Sequence, residues 1–194
     1  MLDSLNYEVH YKVLNASEFG LPQNRQRIFI VCFRKDLIKK SFHFPIPSQE
    51  KVSLFEVLED NPPDAKIINR PDIVFTKTYQ PVKNGGQIVL PNKPIQIGKV
   101  NKGGQGERIY SPYGHAITLS AYGGGAGAKT GLYHVNGQIR KLSPRECARV
   151  QGFPDSFKVN PSITQAYKQF GNSVAVNVVS AIIKQIYQTG CFDT

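Results

Sequence analysis

Apolar and polar positions alternate along the first part of the chain and settle into a helical period near its end. NYEVHYKV (residues 6–13) and IFIVCF (28–33) read as strands, rich in β-branched and aromatic residues. The second run is apolar throughout, which predicts a strand interior to a sheet. Between them NASEFGLPQNRQR is broken by Gly20 and Pro22. FPIPSQ (44–49) reads as an exit linker and KVSLFEVLED (51–60) as a short amphipathic helix. Residues 61–100 carry many Pro and Gly and define no clear element. Alternation returns in ERIYS, AITLSAY and GLYHV, and Asn136-Gly137 after the last of these predicts a hairpin on a type I′ turn.

The C-terminal pattern is helical, with marked boundaries. Ser143-Pro144-Arg145-Glu146 is a capping box with proline at the first helical position, and Gly152 and Pro154 end that helix. Ser162 to Gln165 is a second box, with Gly171 as the expected stop. Asn172 or Ser173 is expected to cap a third helix, in which Val174, Val178, Ile182 and Ile186 recur at helical spacing. That stripe requires a covering surface, which predicts packing on a sheet of more than two strands.

Composition narrows the class. A chain of 194 residues with 40 % hydrophobic residues can bury a core. No apolar stretch approaches the roughly 18 residues of a membrane span. MLDSLNYEVHYK has no signal-peptide core, so a cytoplasmic, nucleoid-associated protein with no membrane partner is expected. Cys32, Cys147 and Cys191 form no CxxC pair, which disfavours zinc and redox motifs; no metal is expected. Cys32 and Cys147 read as buried small apolar residues, and Cys191 near the chain end as exposed. The formal charge of +10 favours a polyanion partner.

Three segments carry candidate chemistry. QNRQR (23–27) precedes an apolar strand, and Arg25 and Arg27 at alternate positions of an extended chain point the same way. It is either a solvated basic loop or a site for an anion or carbonyl oxygen. Lys102 to Tyr133 holds two glycine clusters, whose backbone can approach phosphates and base edges closely. Arg108 suits bidentate contact with guanine, Gln105 can enter a base stack, and Thr118 and Tyr122 can touch phosphates or a base face. GGGAGAKT (123–130) nearly matches a phosphate-binding loop, but Ala128 replaces the glycine before the lysine and a hairpin follows instead of a helix. GNSV (171–174) opens a helix in this reading, so its amides and Asn172 can bind a polar ligand.

RKLSPRECARVQGFPDSF and QAYKQFGNSVAVNVVSAII resemble the C-terminal motifs of the DNA (cytosine-5) methyltransferases. The resemblance extends through VLNASEFGLPQNRQRIFIVCF and through GGQGERIYS, AITLSAYGGG and AKTG, and is weakest over residues 37–100. It implies an α/β fold, α+β in these residues alone. Edge strands and C-terminal helices of an S-adenosylmethionine-dependent methyltransferase sheet would carry a small, mainly β target-recognition domain. The implied division is catalytic-domain strands over 1–50, target recognition over 51–142, and helices returning to the catalytic domain over 143–194.

By the same resemblance Arg27 reaches O2 of a flipped cytosine, and Arg25 supports that loop or the phosphate beside it. Gln105 fills the gap left by the flipped base and Arg108 reads a guanine in a GCGC-type target. Gly104, Thr118, Ser120, Tyr122, Gly123 and Gly124 complete the implied contacts to double-stranded DNA. Asn172, Ser173 and Val174 are implied to close the S-adenosylmethionine pocket. The sequence has no Pro-Cys nucleophile, no glycine-rich cofactor loop and no Glu-Asn-Val acid. The expectation is therefore an inactive chain that needs an N-terminal methyltransferase half, as a split subunit, an excised fragment or a remnant. An uncovered sheet edge and apolar helix are expected to drive pairing with that half or self-association. The competing reading is a non-catalytic, sequence-preferring DNA-binding module.

Overall fold

The computed structural model describes residues 5–48, 50–84, 87–89 and 91–192. Strands β1 (Tyr7–Asn15) and β2 (Gln26–Arg34) form a long antiparallel hairpin, in register from Tyr7↔Arg34 to Asn15↔Gln26. The Asn15 side chain accepts from Ser17 N and starts a 3-10 turn over Ala16–Phe19, which Gly20 closes with a φ of 69°. Leu14, Phe29, Val31 and Phe33 turn to one side of the hairpin and pack against the last helix.

The opposite side departs from the expectation for β2. Ile28 and Ile30 are 59 % and 60 % exposed, and Cys32 is exposed rather than buried. Their cross-strand partners are Val13, Tyr11 and Val9. Cross-strand partners share a face, so a continuous apolar ribbon lies open. Apolarity predicted a covered strand, but among the described residues only β1 pairs with β2, and nothing packs on the ribbon.

The middle of the chain builds a five-stranded sheet. Its strands are β3 (Val74–Phe75), β6 (Ile95–Lys99), β7 (Arg108–Ser111), β8 (Leu132–Val135) and β9 (Gln138–Arg140), in that spatial order. Between β3 and β6 in sequence lies a small separate hairpin, β4 (Val82–Asn84) and β5 (Gln87–Val89). All pairs in the five-stranded sheet are antiparallel except β7 with β8. Asn136 and Gly137 take φ of 50° and 77°, as a type I′ turn requires. The predicted helix over 51–60 reduces to a 3-10 turn at Leu54–Val57, with Leu54 fully buried.

Helices α1 (Pro144–Val150), α2 (Ile163–Asn172) and α3 (Val176–Gln188) follow. The Ser143–Glu146 box forms as expected. Glu146, fully buried, also takes both Nη groups of Arg140 at 2.8 Å and the Glu59 amide at 2.8 Å. One carboxylate thus ties the end of the sheet, the start of α1 and the segment before β3 together. Arg149 bonds Asp155 and the Val57 carbonyl, and Arg145 the Phe157 carbonyl. Tyr133, Leu142, Cys147, Ala148 and Phe170 share the core between sheet and helices.

Four expectations at the C-terminus are corrected. Ser162 occupies the N-cap of α2 but its side chain makes no cap bond. α2 runs through Gly171 to Asn172, so GNSV closes one helix instead of opening the next. α3 starts at Val176 with Ala175 as cap, leaving Val174 outside the apolar stripe and 45 % exposed. Val178, Ile182 and Ile186 do pack inward, though onto the two-stranded hairpin and not a larger sheet. Among the described residues no helix is long and apolar enough to cross a membrane.

Candidate nucleic-acid interface

Two glycine-rich loops meet at one place. The first, Gly103 to Glu107, is shaped by Glu107, whose carboxylate accepts from the Gly104 amide at 2.9 Å and Asn101 Nδ2 at 2.8 Å. Those bonds, the Asn101 one first, hold its pKa below the usual glutamate value. Gln105 is left exposed at the tip. Arg108 follows at the start of β7, exposed, with one long contact from Nε to the Gly103 carbonyl at 3.5 Å. Among the described residues its Nη groups have no hydrogen-bond partner.

The second loop runs from Ser120 to Thr130. It is closed by the Ser120 amide on the Lys129 carbonyl at 2.9 Å and fixed to the first loop by the Gly127 amide on the Gly106 carbonyl at 2.7 Å. A Cβ at Gly106 would sit 2.1 Å from the Gly124 carbonyl oxygen. Only glycine permits this approach, which is the physical use of the two clusters. The loops enclose a shallow cleft of about 130 Å³ lined by Gln105, Thr118, Ser120, Tyr122, Gly123 and Gly124 among others. Six of the sequence-selected residues therefore converge, while Gly104 and Arg108 lie beside the cleft. Tyr122 is 71 % exposed. The Ser120 hydroxyl bonds the Tyr122 carbonyl, which shapes the turn.

QNRQR is joined to this region by backbone and side chain. The Ala116 amide donates to the Pro22 carbonyl at 2.7 Å, and Thr118 Oγ1 donates to the Asn24 carbonyl at 2.6 Å. Arg25 and Arg27, expected to point the same way, have different surroundings. Arg25 is 4 % exposed and donates to the carbonyls of Leu119, Gly171 and Ser173 at 2.9, 3.0 and 2.7 Å. Burial, and then the neighbouring Arg27, lower its pKa to about 10. Arg27 is exposed, and among the described residues its side chain bonds only the adjacent Gln26 carbonyl.

The α2–α3 turn lies behind the second loop. Asn172 is exposed, and its side chain has no hydrogen bond among the described residues. Ser173 donates its hydroxyl to the Phe170 carbonyl at 2.9 Å. Sequence reading missed Lys129, Gly106 and Ile117, which also line the cleft, and Lys168, whose Nζ lies 5.6 Å from the Tyr122 ring centroid. It also missed Gln23, fully buried. Its place at the head of QNRQR was the available signal; Lys168 offered none, because its partner is distant in the chain.

The chain as a whole has relatives among known proteins. The sequence profile of the C-5 cytosine-specific DNA methylase family matches residues 1–188. Type II methyltransferase M.HhaI of Haemophilus parahaemolyticus is 51 % identical over 186 residues, 95 % of this chain and 55 % of that one. Type II methyltransferase M.SsoII of Shigella sonnei is 36 % identical over 195 residues, 97 % of this chain and 46 % of that one. The chain thus spans about half the length of these curated relatives. Among solved structures, the S. pombe Dnmt2 methyltransferase superposes with a TM-score of 0.62 at 20 % identity, covering 96 % of this chain and 59 % of that one. A putative DNA modification methyltransferase encoded within a prophage of E. coli gives 0.62 at 19 % identity, over 97 % and 62 %. At those identities the likeness is one of fold. With the profile spanning nearly the whole sequence, the chain belongs to the C-5 cytosine-specific DNA methylase family.

Proposed function

We propose that these residues form the DNA-reading and base-orienting part of a DNA (cytosine-5) methyltransferase, acting on a GCGC-type duplex target with a catalytic half. The reading divides the chain as its sequence suggests: strands 1–50 and helices 143–194 belong with the catalytic domain, and 51–142 with target recognition. The observation that carries it is the interlock of the two glycine loops. It holds Gln105 and Tyr122 outward over one cleft, with Arg108 free beside them. A duplex offers phosphates to the loop amides and a guanine edge to Arg108. A flipped base leaves a gap of the kind an exposed glutamine can fill.

Catalysis by this route needs a thiolate to add to C6 of the flipped cytosine, with a proton delivered to N3. Cys147 does not suit that role, since burial, then Glu146, raises its thiol pKa well above the usual value. Arg27, exposed and charged, suits the electron density that moves onto O2 and N3. The nucleophile and the acid come from the catalytic half. S-adenosylmethionine, when bound, supplies the electrophilic methyl group. Asn172, with its amide unengaged, and Val174, half-exposed, fit as one wall of its pocket; Ser173 offers chiefly its hydroxyl lone pairs. The open apolar ribbon on β1 and β2 is the surface we assign to the catalytic half, or to a second copy in its absence. A self-sufficient DNA-binding module would have no use for it.

Arg108→Ala tests the interface. Binding to a GCGC duplex should weaken by about 1–3 kcal/mol while binding to unrelated duplexes changes little. Equal loss on every sequence would remove Arg108 as a base reader.

A further inference from the structure

We infer that Arg25 is a positioning residue that locks the Ser120–Gly124 loop to the α2–α3 turn, so that a ligand ordering one of them orders the other. The inference rests on the reading of that loop as a DNA contact. The partners of Arg25 lie far from it along the chain: Leu119 by 94 residues, Gly171 by 146 and Ser173 by 148. Leu119 leads directly into the loop. Gly171 and Ser173 flank Asn172, the last residue of α2, where the chain enters the turn. One planar cation therefore fixes the spacing of two segments that share no secondary structure.

The two segments also interlock without Arg25. A Cβ at Gly171 would lie 2.2 Å from the Ala121 nitrogen and 2.3 Å from the Ser120 carbonyl carbon. Backbone meets backbone there, so no flexible side chain can absorb a displacement. Gln23 of the same segment holds Leu119 from another side, donating to the Val150 carbonyl at the end of α1 and accepting from the Leu119 amide, both at 3.4 Å. Lys168 of α2 reaches over the Tyr122 ring. Every hydrogen bond of the Arg25 guanidinium is to a backbone carbonyl, so the lock is indifferent to side chains on either segment. An apolar residue in its place would fill volume but take the guanidinium from three carbonyls, two of these bonds being buried.

The test is backbone-amide hydrogen exchange on the full chain, free and with a saturating GCGC-containing duplex. In the wild type the duplex should slow exchange over residues 120–124 and also over 173–176. Arg25→Lys keeps the charge and removes the fork. It should keep the first protection and lose the transmitted part by roughly tenfold, the scale of one charge-assisted hydrogen bond. Gly171→Ala, which presses the two backbones apart without altering charge, should uncouple them in the same way. Unchanged exchange in α1 reports that each variant is folded. Protection of 120–124 without 173–176 in the wild type overturns the inference and leaves the DNA reading intact. Transmission unchanged in both variants also overturns it. No protection at 120–124 overturns the DNA reading, and the inference with it.

Discussion

His115 is 2 % exposed, and its Nδ1 has no hydrogen-bond partner among the described residues. Burial lowers its pKa below the ordinary 6.5. As pH falls, the unfolded chain takes the proton first. The stability is therefore complete above about 6.5 and is lost as pH drops through the folded value, by at most about 1.4 kcal/mol per pH unit. Urea denaturation between about pH 7 and pH 5 should show this fall in the wild type and a flatter dependence in His115→Gln. Equal slopes would mean that His115 is not the group responsible. Such a residue was invisible in the sequence, where His115 stands between the ERIYS and AITLSAY runs and no local pattern marks it as buried. Arg25 and Arg27 show the same limit: a two-residue spacing in QNRQR named both. Their difference lies in carbonyls contributed from Leu119, Gly171 and Ser173, which no local pattern encodes.

At the scale of elements, local chemistry was legible and tertiary partners were not. The Asn136-Gly137 turn and the Ser143 capping box are determined by residues adjacent in sequence, and both form. Gly171 looked like a stop because glycine often ends helices; here it lies inside α2, where the Ser120–Ala121 backbone leaves no room for a Cβ. The apolar run of β2 implied burial on both faces, yet apolarity records what a surface needs, not whether these residues alone provide it. The ribbon of Tyr11, Val13, Ile28 and Ile30, each more than half exposed, is the consequence. Covering one such aliphatic side chain contributes about 1.5–3 kcal/mol. Ile30→Lys should therefore weaken self-association by roughly tenfold or more in sedimentation velocity, with the thermal midpoint nearly unchanged. A monodisperse wild-type monomer at high concentration would contradict this use of the ribbon.

At the scale of the whole molecule, the family was legible because its motifs keep their residues: the profile covers residues 1–188. The arrangement of the middle region was not, because residues 61–100 have few periodic runs. They supply β3 and β6 to the five-stranded sheet through partners elsewhere in the chain. What the fold brings together is a cleft between glycine loops, an exposed Arg27 and the α2–α3 turn, all stitched by Arg25 and Gln23. In the function proposed above, a thiolate and an acid come from the catalytic half. The most direct measurement is transfer of a labelled methyl group from S-adenosylmethionine to a GCGC duplex. The chain should be assayed alone and mixed with the N-terminal half of M.HhaI, a 51 % identical relative. Incorporation only in the mixture, reduced by Arg27→Ala, is the predicted result. Incorporation by the chain alone, or none in a mixture shown to associate and bind the duplex, would contradict the account.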